Sequence, residues 1–217
     1  MELPVKEKTP RMAAEQTAPV IAETAGKGYL AVKRLLDLVF SALAAVVLLV
    51  PMVVISILIR LDSPGPVIFC QNRMGKGGKV FRIYKFRTLK ISAPADVASR
   101  DFSDIDKHLT RLGAFLRRTS IDELPQLYNI LRGDMSLVGY RPVCLSEEKL
   151  NCLRAQYGVF ALRPGITGLS QVSGRDNVDY QEKARMDAEY VRRCSFKMDL
   201  WCLLRTVKVV LTGEGVV

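Results

Sequence analysis

Histidine and tryptophan are nearly missing from this chain, with one of each, and aromatic residues make up only 7% of it. A single imidazole, His108, excludes the histidine ligand sets of ordinary catalytic zinc sites. None of the five cysteines (Cys70, Cys144, Cys152, Cys194, Cys202) stands in a C-x-x-C pair, so structural zinc is excluded as well. An odd number of thiols, with nothing that requires oxidising surroundings, reads as reduced packing cysteines in a cytosolic compartment. The chain also lacks a long lysine and arginine run and any zinc-finger or RNA-recognition signature, which sets nucleic acid aside as a partner. No small-residue cleavage site follows its one long apolar stretch, so a cleaved signal peptide is excluded.

The charge that is present is strongly one-sided. A formal net charge of +10 and a pI near 9.5 call for an anionic partner, either an acidic membrane surface or a phosphorylated substrate. Residues 38–59 carry no charge, and only Ser41 and Ser56 among them are clearly polar. At about 1.5 Å per residue such a helix reaches across a hydrocarbon core of roughly 30 Å. Lys27, Lys33 and Arg34 precede this run, and Arg60, Arg73, Lys76, Lys79 and Arg82 follow it. The positive-inside rule wants both flanks on the cytoplasmic side, which one straight span cannot give. Pro51 lies inside the run, and two outcomes are open on these residues: a helix that dips in and returns, or a spanning helix kinked at proline. Asp37 shares a helix face with Lys33 and Arg34, so its charge is neutralised locally. The pair either forms a solvated helix end or meets a lipid phosphate.

The remainder reads as an α/β body, mostly helical, with a small β-hairpin. Residues 1–28 have few large apolar groups and read as a disordered cytoplasmic tail, followed by a membrane element at 29–61 and a cytoplasmic domain at 62–217. Residues 67–70 and 80–86 read as strands joined around Gly75-Lys76-Gly77-Gly78. Residues 92–106 are polar and read as a mobile loop. Helical periodicity covers 105–118, 124–131 and 146–160, and a charged helix with an ordinary solvated face covers 179–193. Arg141, set in a rigid turn by Pro142, reads either as an isolated surface arginine or as a bidentate phosphate binder. Residues 163–175 gather turn formers around a short strand, the build of a ligand-facing loop. Residues 196–212 place Leu200, Leu204, Val207 and Leu211 on one stripe beside Trp201, either a core face or an in-plane interfacial helix.

Chemistry concentrates in Arg117-Arg118-Thr119-Ser120-Ile121-Asp122-Glu123-Leu124-Pro125-Gln126. Adjacent carboxylates can divide the work of nucleophile and metal ligand, with the arginines holding an anionic phosphate against them. Ser120 and Glu123 also fit a helix capping box, but Pro125 then falls where it deletes an intrahelical bond. The helix therefore starts nearer 122–124 or has a distorted first turn. Either way the carboxylates stand at a helix entrance whose N–H groups suit phosphate.

Taken in order, Lys33-Arg34-x-x-Asp37, the proline-broken run, Gln71-Asn72-Arg73-x-Gly75, Lys85-Phe86-Arg87-Thr88, Asp122-Glu123-Leu124-Pro125-Gln126, Gly133-Asp134-Met135-Ser136-Leu137-Val138-Gly139, Arg141-Pro142 and Arg163-Pro164-Gly165-Ile166-Thr167-Gly168 carry a resemblance. The chain resembles the bacterial sugar transferases, the monotopic phosphoglycosyl transferases that begin glycan assembly on polyprenyl phosphate. The resemblance implies an enzyme on the cytoplasmic face of the bacterial plasma membrane, with a re-entrant membrane helix and interfacial amphipathic helices. It implies transfer of a sugar-1-phosphate from a UDP-sugar to polyprenyl (undecaprenyl) phosphate, with release of UMP and a phosphosugar-aspartyl intermediate. By the same match Asp122 is the nucleophile and Glu123 the Mg²⁺ ligand. Arg141, Arg87 and Arg117 are phosphate-binding candidates, Gln171 and Arg175 nucleotide-binding candidates, and Lys33 and Arg34 candidates for the lipid phosphate. Val50, Tyr140 and Leu169-Ser170 depart from the family's usual Ser, Pro and Trp-Ala. A non-catalytic membrane-anchored binder of phosphorylated ligands is the alternative, but a binder gains little from a carboxylate beside a phosphate. A homo-oligomer is compatible with the sequence, which does not reveal the sugar.

Overall fold

The computed structural model describes residues 26–93, 105–173 and 179–212. The tail expected at 1–28 and the loop expected at 92–106 fall largely outside them. Two helices open the described chain, α1 (Lys27–Val47) and α2 (Leu49–Asp62), bent by 60° at Leu48. The bend lies just ahead of Pro51, whose ring crowds the carbonyl of Val47 and which has no N–H to offer it. Among the described residues no single helix is long and apolar enough to cross a membrane, while the bent pair is so by length and composition together.

After α2 the chain forms an antiparallel hairpin of β1 (Ile68–Met74) and β2 (Val80–Phe86), in register with Cys70 opposite Tyr84. The turn between them is glycine-built because Gly77 and Gly78 both take left-handed backbone, at φ 66° and 68°. The helix expected over 105–118 is two pieces, α3 (Ile105–His108) and α4 (Arg111–Arg118). Thr110 breaks it by turning extended and accepting the N–H of Gly113 on its hydroxyl at 2.9 Å. The outer edge of β2 is closed by a side chain of the next helix, α5 (Gln126–Arg132). Asn129, fully buried, donates to the carbonyl of Arg82 and accepts the N–H of Tyr84. It thereby satisfies backbone groups that an edge strand would leave open.

A second, parallel pair joins β3 (Ser136–Val138) to β4 (Gly165–Thr167). Between them in sequence run α6 (Glu148–Gln156) and a short 3₁₀ turn (Val159–Ala161), so the helix expected at 146–160 ends early, where Gly158 turns left-handed. Two glycines of 163–175 have a packing reason. A Cβ on Gly168 would sit 1.8 Å from the carbonyl oxygen of Gly139, and one on Gly165 would sit 2.1 Å from its nitrogen. Only bare backbone lets the two strands and the following turn approach so closely. The chain closes with α7 (Leu169–Ser173), α8 (Tyr180–Arg193) and α9 (Phe196–Thr212).

Three apolar clusters matter for the site. One, with Val138, Tyr140, Phe160, Tyr190 and Val191, joins β3, α6 and α8. A second brings Ile83, Leu127, Ile130 and Met135 against Ala44 and Ala45 of α1 and Leu48 at the bend. The third brings Ile59 of α2 together with Phe86 and Leu116, and with Ile121 and Leu124 at its margin. Each limb of the bent pair therefore seats on its own part of the body, α1 on α5 and α2 on α4. The segment from Ile121 to Leu127 bridges the two seats. Outward, both limbs leave large apolar side chains exposed, including Phe40, Leu43, Val50 and Leu61. The stripe on α9 is likewise exposed at Leu200, Trp201, Leu204 (62%) and Val207, so it is not a core face. What α9 buries is Asp199, Cys202 and Val209.

Candidate active site

The segment that bridges the two limbs carries the carboxylates. Ser120 is the one described non-glycine residue with left-handed backbone, at φ 56°, and it makes no capping bond. The chain instead makes a 3₁₀ turn (Ile121–Glu123), with Pro125 at the cap of α5. The expected capping box is thus absent, because proline delays the helix to Gln126. Two of the N–H groups at this entrance bond within the turn, Glu123 N–H to Ser120 and Leu124 N–H to Ile121.

Cationic side chains converge on the carboxylates. Lys85, from β2, places Nζ 2.7 Å from Glu123 Oε1 and 4.0 Å from Asp122 Oδ2. Arg141 places Nη2 3.0 Å from the same Oε1. Arg117 donates Nε to Thr88 Oγ1 at 3.0 Å, close enough for its charge to act on Asp122. The two carboxyls respond in opposite directions. Burial pushes Asp122 above the ordinary aspartate range and Glu123 adds to this, against the pull of Lys85, Arg141 and Arg117. Burial pushes Glu123 up too, but Arg141 and Lys85 outweigh it and hold it at about 2. Glu123 is the fixed anion of the pair. Asp122, 8% exposed, is the more basic one.

The candidates read from the sequence divide into two groups. Asp122, Glu123, Arg141 and Arg117 share one site. Arg87 is engaged elsewhere: buried, it donates to the carbonyls of Ser63 and Pro64 and clamps the turn after α2. Lys33 donates to Asp199 at 2.9 Å and lies 3.9 Å from Asp37, while Arg34 reaches the carbonyls of Leu131 and Met135. Both fasten α1 to the body. Gln171, on α7, donates Nε2 to the carbonyl of Ile166 at 2.7 Å, and Arg175 lies outside the described residues. Lys85 is the residue the sequence reading missed as a site residue. Its signal was phase: it follows Ile83 by two, so it shares the strand face that packs on Leu127 and Ile130. A lysine on a core-facing phase needs a buried partner.

Among the described residues no group of three or more acidic, histidine or cysteine side chains forms a metal cage. Magnesium does not require one, since it is usually held by one or two carboxylates with substrate phosphates and water completing the shell. Lys85 and Arg141 both lie on Oε1 of Glu123, and Oε2 takes part in neither contact. The Asp122 and Glu123 oxygens therefore fit a phosphate-bound magnesium ion.

Paired carboxylates set among a lysine and two arginines, at the seam of a bent apolar helix pair, define a centre for anionic substrates beside an apolar surface. Relationships of sequence give the family. Residues 28–213 match the bacterial sugar transferase family, and the chain belongs to it. It is 39% identical over 201 residues to a galactosyl transferase of Streptococcus agalactiae, covering 86% of this chain and 44% of that protein. It is 37% identical over 197 residues to an undecaprenyl-phosphate galactose phosphotransferase of Salmonella typhimurium, covering 84% and 41%. With a UDP-glucose:undecaprenyl-phosphate glucose-1-phosphate transferase of Caulobacter vibrioides it shares 42% identity over 191 residues, covering 84% and 71%. The chain thus spans under half the length of the first two of these relatives.

Lys85 neutralises a carboxylate pair that Arg141 alone does not cover. Lys85→Met is expected to lower stability at neutral pH by about 3 kcal/mol, the cost of stranding buried charge. Lys85→Arg should recover most of that loss. Chemical denaturation checks it, and an unchanged midpoint for Lys85→Met would contradict the electrostatic role.

Proposed function

We propose that this protein transfers a sugar-1-phosphate from a UDP-sugar to polyprenyl phosphate, releasing UMP, in the first membrane step of polysaccharide or glycoconjugate assembly. The observation that carries the reading is the buried Asp122 and Glu123 pair gripped by Lys85 and Arg141. Names of relatives support the substrate classes: the Salmonella and Caulobacter proteins are named for phosphotransfer to undecaprenyl phosphate.

In the first half-reaction the Asp122 carboxylate attacks the sugar-linked phosphorus of the donor. The bond from that phosphorus to the UMP oxygen breaks, its electron pair leaves with UMP, and the phosphosugar stays on Asp122 as an acyl phosphate. In the second, an oxygen of polyprenyl phosphate attacks the same phosphorus and the Asp122 carboxylate is restored. Arg141 and Arg117 hold the transferred phosphate, and Lys85 keeps two adjacent carboxylates tolerable until the phosphate arrives. Glu123 would hold magnesium, which when bound would neutralise the diphosphate charge. Gln171 and Arg175, which follow β4, are the nucleotide-side candidates. Lys33, Arg34 and Arg87 hold protein groups and take no direct part.

The bent pair α1 and α2 is the membrane element, entering and leaving by the cytoplasmic face. Its two seats on one body and the positive residues on both flanks support re-entry. The exposed apolar stripe of α9, with Trp201, supports a helix lying in the interface.

A panel of UDP-sugars assayed for UMP, with magnesium and polyprenyl phosphate, is expected to give release from at least one donor, abolished by Asp122→Asn. Release from no donor would leave a binding protein and end the enzymatic reading. Topology has a separate check. Tags ahead of α1 and after α9 should both be cytoplasmic, and tags on opposite sides would establish a span.

A further inference from the structure

Arg141 is held by its backbone as well as by its guanidinium. Arg154 of α6, with 0% of its side chain exposed, donates Nη1 to the carbonyl of Arg141 at 2.8 Å. The rest of its fork is spent on Asp187 of α8, with Nε and Nη2 at 2.9 and 2.6 Å from Oδ2. The other oxygen of Asp187 accepts the hydroxyl of Ser170 at 2.6 Å. The Arg154 guanidinium also lies 5.2 Å from the ring centroid of Tyr140, the residue before Arg141. On the next residue, Arg73 reaches the carbonyl of Pro142 at 3.5 Å, and its own backbone bridges to Cys144.

Stability does not explain this arrangement. Two fully buried charges cost several kcal/mol each to desolvate, and apolar residues of similar volume often serve a core as well or better. What the pair supplies is direction. Each of the three nitrogens of the fork donates either to Asp187 or to the carbonyl of Arg141. The Arg141 side chain itself is 41% exposed, so the setting of its backbone helps decide where its guanidinium can reach.

We propose that Arg154, Asp187 and Ser170 form a positioning relay that sets the Arg141 backbone, so that its guanidinium meets both Glu123 and the transferred phosphate. Arg154 is a positioning residue and touches no substrate. The proposal rests on the transferase reading, because its effect is read through Arg141 in that reaction.

The test removes both charges together, as Arg154→Gln with Asp187→Asn, so that neither is stranded. The full chain is assayed for UMP release from a donor the wild type accepts, with kcat and KM measured separately and melting recorded. The paired variant is expected to stay folded and lose about 10- to 100-fold in kcat, the scale of a misplacement near 1 Å, with donor KM nearly unchanged. In an Arg141→Ala background the same pair should change kcat by less than about 2-fold, the scatter expected of independent sites. Equal losses in both backgrounds, or an unaltered kcat, would overturn the relay while leaving the transferase reading intact. Should the paired variant fail to fold, Ser170→Ala provides the second arm. It is expected to lose several-fold in kcat in the wild-type background and nothing beside Arg141→Ala, and an additive loss overturns the relay. A wild-type chain that releases UMP from no donor sinks the transferase reading and the relay with it.

Discussion

Adjacent carboxylates in a buried turn repel each other, and the architecture around Asp122 and Glu123 is a solution to that repulsion. Lys85 and Arg141 both approach a single oxygen, Glu123 Oε1, from separate elements, a hairpin strand and the turn after β3. They fix Glu123 as an anion, which leaves burial to raise its neighbour. A pair whose members are pushed apart in basicity suits divided labour, one group reacting while the other holds charge. The left-handed Ser120 belongs to the same solution. A non-glycine residue held there costs of order 1–3 kcal/mol, and such strain persists only where surroundings determine it. Here it turns the chain out of α4 so that both carboxylates face the cations before α5 begins.

The same turn joins the active centre to the apolar helices. Ile121 and Leu124 belong to the cluster beneath α2, and Leu127 to the one beneath α1. The 60° bend therefore does more than break an apolar run, since it lets two limbs rest on either side of the carboxylates. Polar ties strengthen the seat of α1. Asp37 accepts the N–H of Leu137 at 3.1 Å, and Asp199 collects Tyr29, Lys33 and Tyr190 in one partly buried knot. These contacts explain why basic residues at the edge of an apolar run need not face lipid: in this fold they face carboxylates and helix-end carbonyls of the body.

The sequence carried the carboxylate pair plainly, because two acids beside two arginines and a proline have few structural explanations. Arg141 was legible for a similar local reason, the rigid dipeptide it forms with Pro142. The bend, the hairpin and α8 followed from proline, glycine and helical periodicity. The rest depended on contacts distant in sequence. Lys85 looked like any charge in an amphipathic strand until its phase was matched to the face covered by α5. Asp187 read as part of a solvated helix face and Arg154 as one residue of an ordinary helix, and only the packing of α6 on α8 buries them against one another. The glycines near residue 168 were legible only as a loop, since a close strand crossing uses the same residues as a ligand loop. The α9 stripe read equally as core or surface, because periodicity shows that a face exists and not what covers it.

The most direct test of this account is intact-mass measurement of the protein after rapid mixing with an accepted UDP-sugar in the absence of polyprenyl phosphate. The account expects a mass increase equal to one phosphosugar, lost on adding polyprenyl phosphate and absent from Asp122→Asn. An adduct that persists in Asp122→Asn would remove Asp122 as the nucleophile and contradict the division of roles between the two carboxylates.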